Sequence, residues 1–160
     1  MKDLVAIAEK IAAKLIERRQ TIAVAESSTG GLIAASLLAV PGASAYFLGG
    51  AVVYTRDARR ILMDISDDDM KGFRSASEPY AKLLASRMRE RFSTDWGLSE
   101  TGATGPTGNR YGDAAGHSCM GVAGPQNAVM TLETGNNDRL GNMHVFASTA
   151  LNFLLQNLSR

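Results

Sequence analysis

Residues 21 to 25, "TIAVA", form an apolar, partly β-branched run with no room for a helix before the next polar cluster, and they read as a buried strand. "ESSTGG" follows directly, and then "LIAASLLAV", whose apolar spacing is helical until Pro41-Gly42 punctuates it. A strand that passes through a hydroxyl and glycine turn into a helix is the unit of α/β folds, so this junction limits what the rest can be.

The remaining segments fit that unit. Leu4, Ile7, Ala8, Ile11 and Leu15 mark the inner face of a first helix. "YFLGGAVVY", 46 to 54, reads as a second strand, with Gly49-Gly50 implying a bulge or a close backbone approach. "TRDARRILM" is a basic turn or helix, and the following "SDDDM" can cap another. "SEPYAKLLASRMRERF" is an amphipathic helix with Tyr80, Leu83, Leu84, Met88 and Phe92 inward, started by Ser77, Glu78 and Pro79. "DWGLSET" is a third strand, and "GATGPTGNRYGDAAG" a long loop. "HSCMGVAG" and "NAVMTLET" read as a hairpin around "GPQN". A last helix, from about Asp138 to Leu158, turns Leu140, Met143, Ala147, Leu151, Leu154 and Leu158 inward.

The expected architecture is therefore a three-layer α/β/α sandwich with a mixed, mostly parallel sheet of about five strands, one domain over residues 1 to 160. Ligands of such sheets sit at the carboxyl ends of the strands. "AESSTGG", "VVYTRDARR" and "SETGATGPTG" all end there, which predicts one shared pocket.

Charge narrows the ligand. With 17 basic against 16 acidic residues there is no field to hold nucleic acid or an anionic membrane, so the expected partner is a small molecule or another protein; a homo-oligomeric assembly is also expected. A single cysteine, Cys119, and an N-terminal helix whose apolar pattern is interrupted by charges predict a cytoplasmic protein without a leader or membrane span. Two histidines and one cysteine without ligand spacing predict no metal.

Ser27, Ser28 and Thr29 lie where a helix dipole and free amides meet, with Gly30 and Gly31 permitting close approach. The cluster can be a helix cap, an anion cradle or the seat of a nucleophile, and Glu26 beside it is a carboxylate that needs partners. His117 begins a strand and can face the pocket; His144 falls on the inner side of the last helix, a hydrogen-bonded core position. Tyr54 can orient a nucleophile or relay a proton, and Arg56, Arg59 and Arg60 suit an anion but not a base. Lys71 has no reason to reach the pocket. The glycine loop matches neither the P-loop nor the dinucleotide fingerprint.

Taken together, "AESSTGGLIAASLLAVPGASAYFLGGAVVYT", "SEPYAKLLASRMRE" and "TGATGPTG" resemble the C-terminal domain of the competence/damage-inducible CinA family, over roughly residues 3 to 155. The longer proteins of that family carry a further N-terminal domain outside this span. The resemblance implies a three-layer fold with a mixed five-strand sheet. It also implies hydrolysis of nicotinamide mononucleotide to nicotinate mononucleotide and ammonia without metal or other cofactor. Ser27 then stands at the nucleophile position, Tyr54 at the family tyrosine, and Arg59 where the family has a catalytic lysine. The expected catalytic set is Ser27, Tyr54 and Arg59. Thr29 is the expected cap, and backbone amides around Thr29 to Gly31 or Gly102 to Gly105 the expected oxyanion donors. Glu26, Ser28, Thr29, Gly30, Gly31, Gly102, Thr104, Gly105 and Arg139 complete the expected substrate contacts. The family's "YSNEAK" is "YTRDAR" here, so the competing expectation is a nucleotide-binding module that has lost its base.

Overall fold

The structure, a computed structural model, describes residues 1 to 160. Helix α1 (Lys2–Arg18) precedes strand β1 (Ile22–Glu26), and α2 (Leu32–Leu38) leads through a 3-10 turn (Ala43–Ala45) into β2 (Phe47–Val52). Next come α3 (Arg56–Met63), α4 (Glu78–Phe92) and β3 (Trp96–Ala103). The hairpin of β4 (His117–Ala123) and β5 (Ala128–Glu133) follows, and α5 (Arg139–Leu158) closes the chain.

The five strands lie in the order β2-β1-β3-β4-β5. β1 pairs parallel with both β2 and β3, while β4 runs antiparallel to β3 and β5 antiparallel to β4. Only β4 therefore opposes the common direction, and the sheet is mixed and mostly parallel as expected. β1 alternates its side chains between two cores. Ile22 and Val24 join the larger one under α1, α2 and α5, and Ala23 and Ala25 join the smaller one under α3 and α4.

At Gly49-Gly50 the close approach is found, and a bulge lies one residue before the pair. The β1–β2 register slips between Ile22 and Ala23, so that Phe47 and Gly49 are their partners and Leu48 is the extra residue of a bulge. A Cβ on Gly50 would lie 2.9 Å from Ala34 Cβ, which is the close approach.

The helix ends depart from the pattern. Leu140 is 74% exposed, because the first turn of α5 directs Arg139 and buried Asn142, rather than Leu140, at the Thr104–Gly105 loop. Phe92 is also exposed, at the last turn of α4, where its ring lies over Gly49. His144 is no core residue: it lies at the surface and pairs with Asp3 of α1. "SDDDM" caps no helix either. Ser66 and Asp69 exchange hydrogen bonds, Ser66 N to Asp69 at 2.8 Å and Asp69 N to Ser66 Oγ at 3.1 Å, and close a turn. α4 starts as expected, with Ser77 accepting from Tyr80 N and Pro79 in the first turn.

Candidate active site

Because β1, β2 and β3 point the same way, Ser27, Tyr54 and Gly102 emerge at one edge of the sheet. A cleft of about 240 Å³ opens there, lined among others by Ser27, Tyr54, Arg56, Arg59, Tyr80, Gly102, Arg110 and Tyr111. A second lobe of about 210 Å³ adjoins it across Tyr54, Gly102 and Asn109, and is walled by Ser28, Thr104, Gly105, Thr107, Gly108 and Arg139. The three segments do converge.

The turn after β1 is set by two buried carboxylates. Glu26, 1% exposed, caps α2: it accepts from the amides of Gly31 (3.2 Å), Ile33 (2.9 Å) and Ala34 (2.9 Å) and from the Thr29 hydroxyl (2.7 Å). A carboxylate there meets the positive end of the helix as well as its free amides. Burial pushes the Glu26 carboxyl above its ordinary 4.5, against the pull of the Ala34 and Ile33 amides and the Thr29 hydroxyl, and Glu100 raises it further. The cap is therefore Glu26 rather than Thr29, and its carboxylate is spent inside the protein, away from any substrate.

Glu100, fully buried on β3, is the residue that sequence reasoning missed. It accepts from the amides of Ser27 (3.2 Å) and Thr29 (2.9 Å) and from the hydroxyls of Ser28, Thr29 (2.9 Å) and Ser118 (3.1 Å). The signal was available: a carboxylate inside an apolar strand needs partners, the same reasoning that singled out Glu26. Its partners in the turn lie 71 to 73 positions earlier and Ser118 lies 18 later, and only the folded chain reveals them.

These bonds sort the expected residues. Ser28 and Thr29 are tied to Glu100, and the amides of Thr29, Gly30 and Gly31 donate to Glu100, to the Ser27 carbonyl (3.2 Å) and to Glu26. They leave no N–H for an oxyanion, which removes the first of the two expected donor segments and leaves the second, Gly102 to Gly105; neither Gly30 nor Gly31 lines either lobe. Of the three adjacent hydroxyls, that of Ser27 alone has no hydrogen-bond partner, and Ser27 lines the cleft. Gly102 lines both lobes, and Thr104 and Gly105 line the second. Arg139 donates to the Gly105 carbonyl at 2.7 Å and to the Tyr54 hydroxyl at 3.2 Å, so it braces the loop and the tyrosine together.

Arg59 is 8% exposed, lies 5.9 Å above the Tyr80 ring, and reaches Asp67 at 3.2 Å through Nη2 only; its buried Nε has no partner. Arg56 holds the same Asp67 from the rim. Burial pushes the Tyr80 hydroxyl up to about 12, with Arg59 opposing. Lys71 pairs with Asp68 and lies outside the cleft.

The glycine loop is ordered by side chains. Asn109 donates to Asp113 (2.7 Å) and accepts from the amides of Tyr111 (3.0 Å) and Asp113 (3.1 Å), while Arg74 grips Asp113 with both Nη atoms. Buried Asn142 of α5 donates to the Thr104 carbonyl at 2.8 Å from the other side. Tyr111 is flanked by Arg74 and Arg110, 5.3 and 5.1 Å from its ring centroid. Arg110 also donates to its oxygen at 3.0 Å, which draws the phenol below its ordinary 10.0 despite some burial. His117 does not face the cleft: its ring is held between Glu133 and the Ala76 carbonyl (2.7 Å).

A model of the CinA C-terminal domain matches residues 4–158. The chain is 37% identical over 142 residues to a CinA-like protein of Gloeothece citriformis, covering 87% of this chain and 34% of that protein. It is 44% identical over 101 residues to one of Sulfurihydrogenibium, covering 62% of this chain and 25% of that one. It thus spans about a third or less of the length of these curated relatives. Among solved structures, the competence-damaged protein (CinA) superfamily protein of Escherichia coli superposes with a TM-score of 0.91 at 25% identity, covering 98% of this chain and 91% of that one. The competence/damage inducible protein CihA of Agrobacterium tumefaciens does so with a TM-score of 0.88 at 26% identity, covering 99% and 96%. With the family match spanning nearly the whole of it, around the strand-to-helix turn and the five-strand sheet, this chain belongs to the CinA C-terminal domain family.

Proposed function

We propose that the chain is a serine amidohydrolase acting on the carboxamide of a pyridine mononucleotide, converting nicotinamide mononucleotide and water to nicotinate mononucleotide and ammonia. One observation carries this reading: of three adjacent hydroxyls, only Ser27 is left unpartnered, and it opens into the cleft. Ser27 Oγ attacks the carboxamide carbon, the C–N bond breaks to release ammonia, and water then hydrolyses the acyl-serine ester. Tyr54, which lines the cleft with Ser27 and borders both lobes, relays the serine proton to the departing nitrogen, which leaves as ammonia. The ribose phosphate occupies the second lobe, against the loop from Thr104 to Gly108 and Arg139.

A second reading, a nucleotide-binding module without hydrolysis, is favoured by Arg59, because a guanidinium does not serve as the general base that a desolvated lysine can be. Ammonia release from nicotinamide mononucleotide, compared in wild type, Ser27→Ala and Arg59→Lys, separates the two. Activity in wild type that vanishes in Ser27→Ala supports the amidohydrolase. Activity confined to Arg59→Lys supports the silent module, and a gain there of about 10²-fold or more is the size a restored base provides.

A further inference from the structure

The lobe around Ser27 has an unusual charge inventory. Arg56, Arg59 and Arg110 line it, and no carboxylate does. Asp67 engages Arg56 and one nitrogen of Arg59 from outside the lobe, where it is itself exposed. The rest of the Arg59 guanidinium is under-used: its Nε is buried without any hydrogen-bond partner, and apart from Asp67 its neighbour is the Tyr80 phenol. A guanidinium nine-tenths buried with donors unused is costly unless an acceptor arrives from the cleft. A neutral carboxamide offers one acceptor oxygen and presents N–H groups that a guanidinium repels. A carboxylate offers two acceptors in the plane that matches the guanidinium fork.

We propose that the Ser27 lobe is a carboxylate-recognition site, so that the chain binds the acid form of a pyridine ligand in preference to the amide, with Arg59 as the residue that sets this specificity. For the mononucleotide the inference rests on the amidohydrolase reading, whose product is that acid, and the enzyme is then strongly product-inhibited. For the lobe itself it rests only on the arginines. Arg59 contacts the carboxylate, and Arg139 in the second lobe holds the phosphate independently.

The test is calorimetric titration of the intact chain with nicotinate mononucleotide and nicotinamide mononucleotide, and in parallel with free nicotinate and free nicotinamide. The acid is expected to bind at least about tenfold tighter than the amide within each pair, the scale of a charge-assisted hydrogen bond over a neutral one. Arg59→Met should bring each pair within about twofold of one another, while Arg59→Lys keeps a preference for the acid. Arg139→Met should weaken both mononucleotides alike and leave the ratio unchanged. Equal affinities, or a preference for the amide, in the wild type overturn the proposal whether or not any variant folds. If neither mononucleotide binds but free nicotinate does, the mononucleotide reading fails while the carboxylate lobe stands. If no acid binds, or inorganic phosphate displaces free nicotinate from the Arg59 lobe, the carboxylate assignment fails.

Discussion

At the scale of single residues, the Ser27 turn depends on Glu100 more than on anything within the turn. One carboxylate satisfies two amides and three hydroxyls drawn from two parts of the chain. Glu100→Ala strands those donors in a buried site, and about 3 kcal/mol of stability should go with it, because each unsatisfied buried donor costs about 1–3 kcal/mol and hydroxyls can partly re-aim. Urea unfolding of Glu100→Ala measures this; a loss under about 1 kcal/mol would show that the turn holds itself. Glu100→Gln, which keeps one acceptor oxygen, should lose less. His117 supports a different prediction. Burial alone would lower its pKa, but Glu133, the Ala76 carbonyl and Asp113 outweigh it and raise the imidazole above its ordinary 6.5. Both ring nitrogens face acceptors, so the native ring is the doubly donating cation. A raised folded value means the stabilisation is complete below about pH 6.5 and is lost as pH rises through the folded pKa, at no more than about 1.4 kcal/mol per pH unit. Cys119, 3.7 Å away, is pushed above its ordinary 9.0 by burial and titrates beyond that window. Unfolding free energies against pH should fall in wild type and stay flat in His117→Gln; parallel curves would sink the assignment.

At the scale of elements, α4 sits on the sheet through two glycines. A Cβ on Gly97 would lie 2.1 Å from the Ala85 carbonyl oxygen, and one on Gly121 would lie 2.4 Å from that of Ala81. Backbone cannot yield as a side chain does, so Gly97→Ala must lift α4, at a cost of about 1–3 kcal/mol typical of overpacking. The segment entering α4 supplies Ser75 and Ala76 to the cleft, so the same variant should weaken ligand binding. A variant with wild-type unfolding free energy and wild-type affinity would refute this coupling. The elements themselves were legible in the sequence, because period-two and helical apolar patterns report which face is buried. The terminal-turn positions Leu140 and Phe92 escaped that logic, since periodicity says nothing about which neighbours a helix's first or last turn meets. The glycine loop was legible only as a loop: its shape comes from Arg74 gripping Asp113 across 39 positions and Asn142 holding Thr104 across 38. No local pattern encodes such pairs, and the same is true of Glu100 and its hydroxyls.

At the scale of the whole molecule, the cleft is a product of strand direction. β1, β2 and β3 deliver their ends to one edge, α5 contributes Arg139 from the larger core's side, and the approach to α4 contributes Ser75 from the other. A ligand occupying both lobes therefore bridges elements from both layers, and it binds a surface that exists only when all of them are assembled. Such binding stabilises the native state by mass action, about 2.7 kcal/mol at a free concentration a hundred times Kd. For a chain of 160 residues each kcal/mol moves Tm by roughly 2–4 °C. Saturating nicotinate mononucleotide should accordingly raise Tm by about 5–10 °C in differential scanning calorimetry. Arg139→Met should lower the shift by loosening the phosphate lobe, and Ser27→Ala should leave it nearly intact, because a nucleophile contributes to reaction more than to binding. A ligand-independent Tm across wild type and both variants would mean that the convergent edge of the sheet holds no nucleotide.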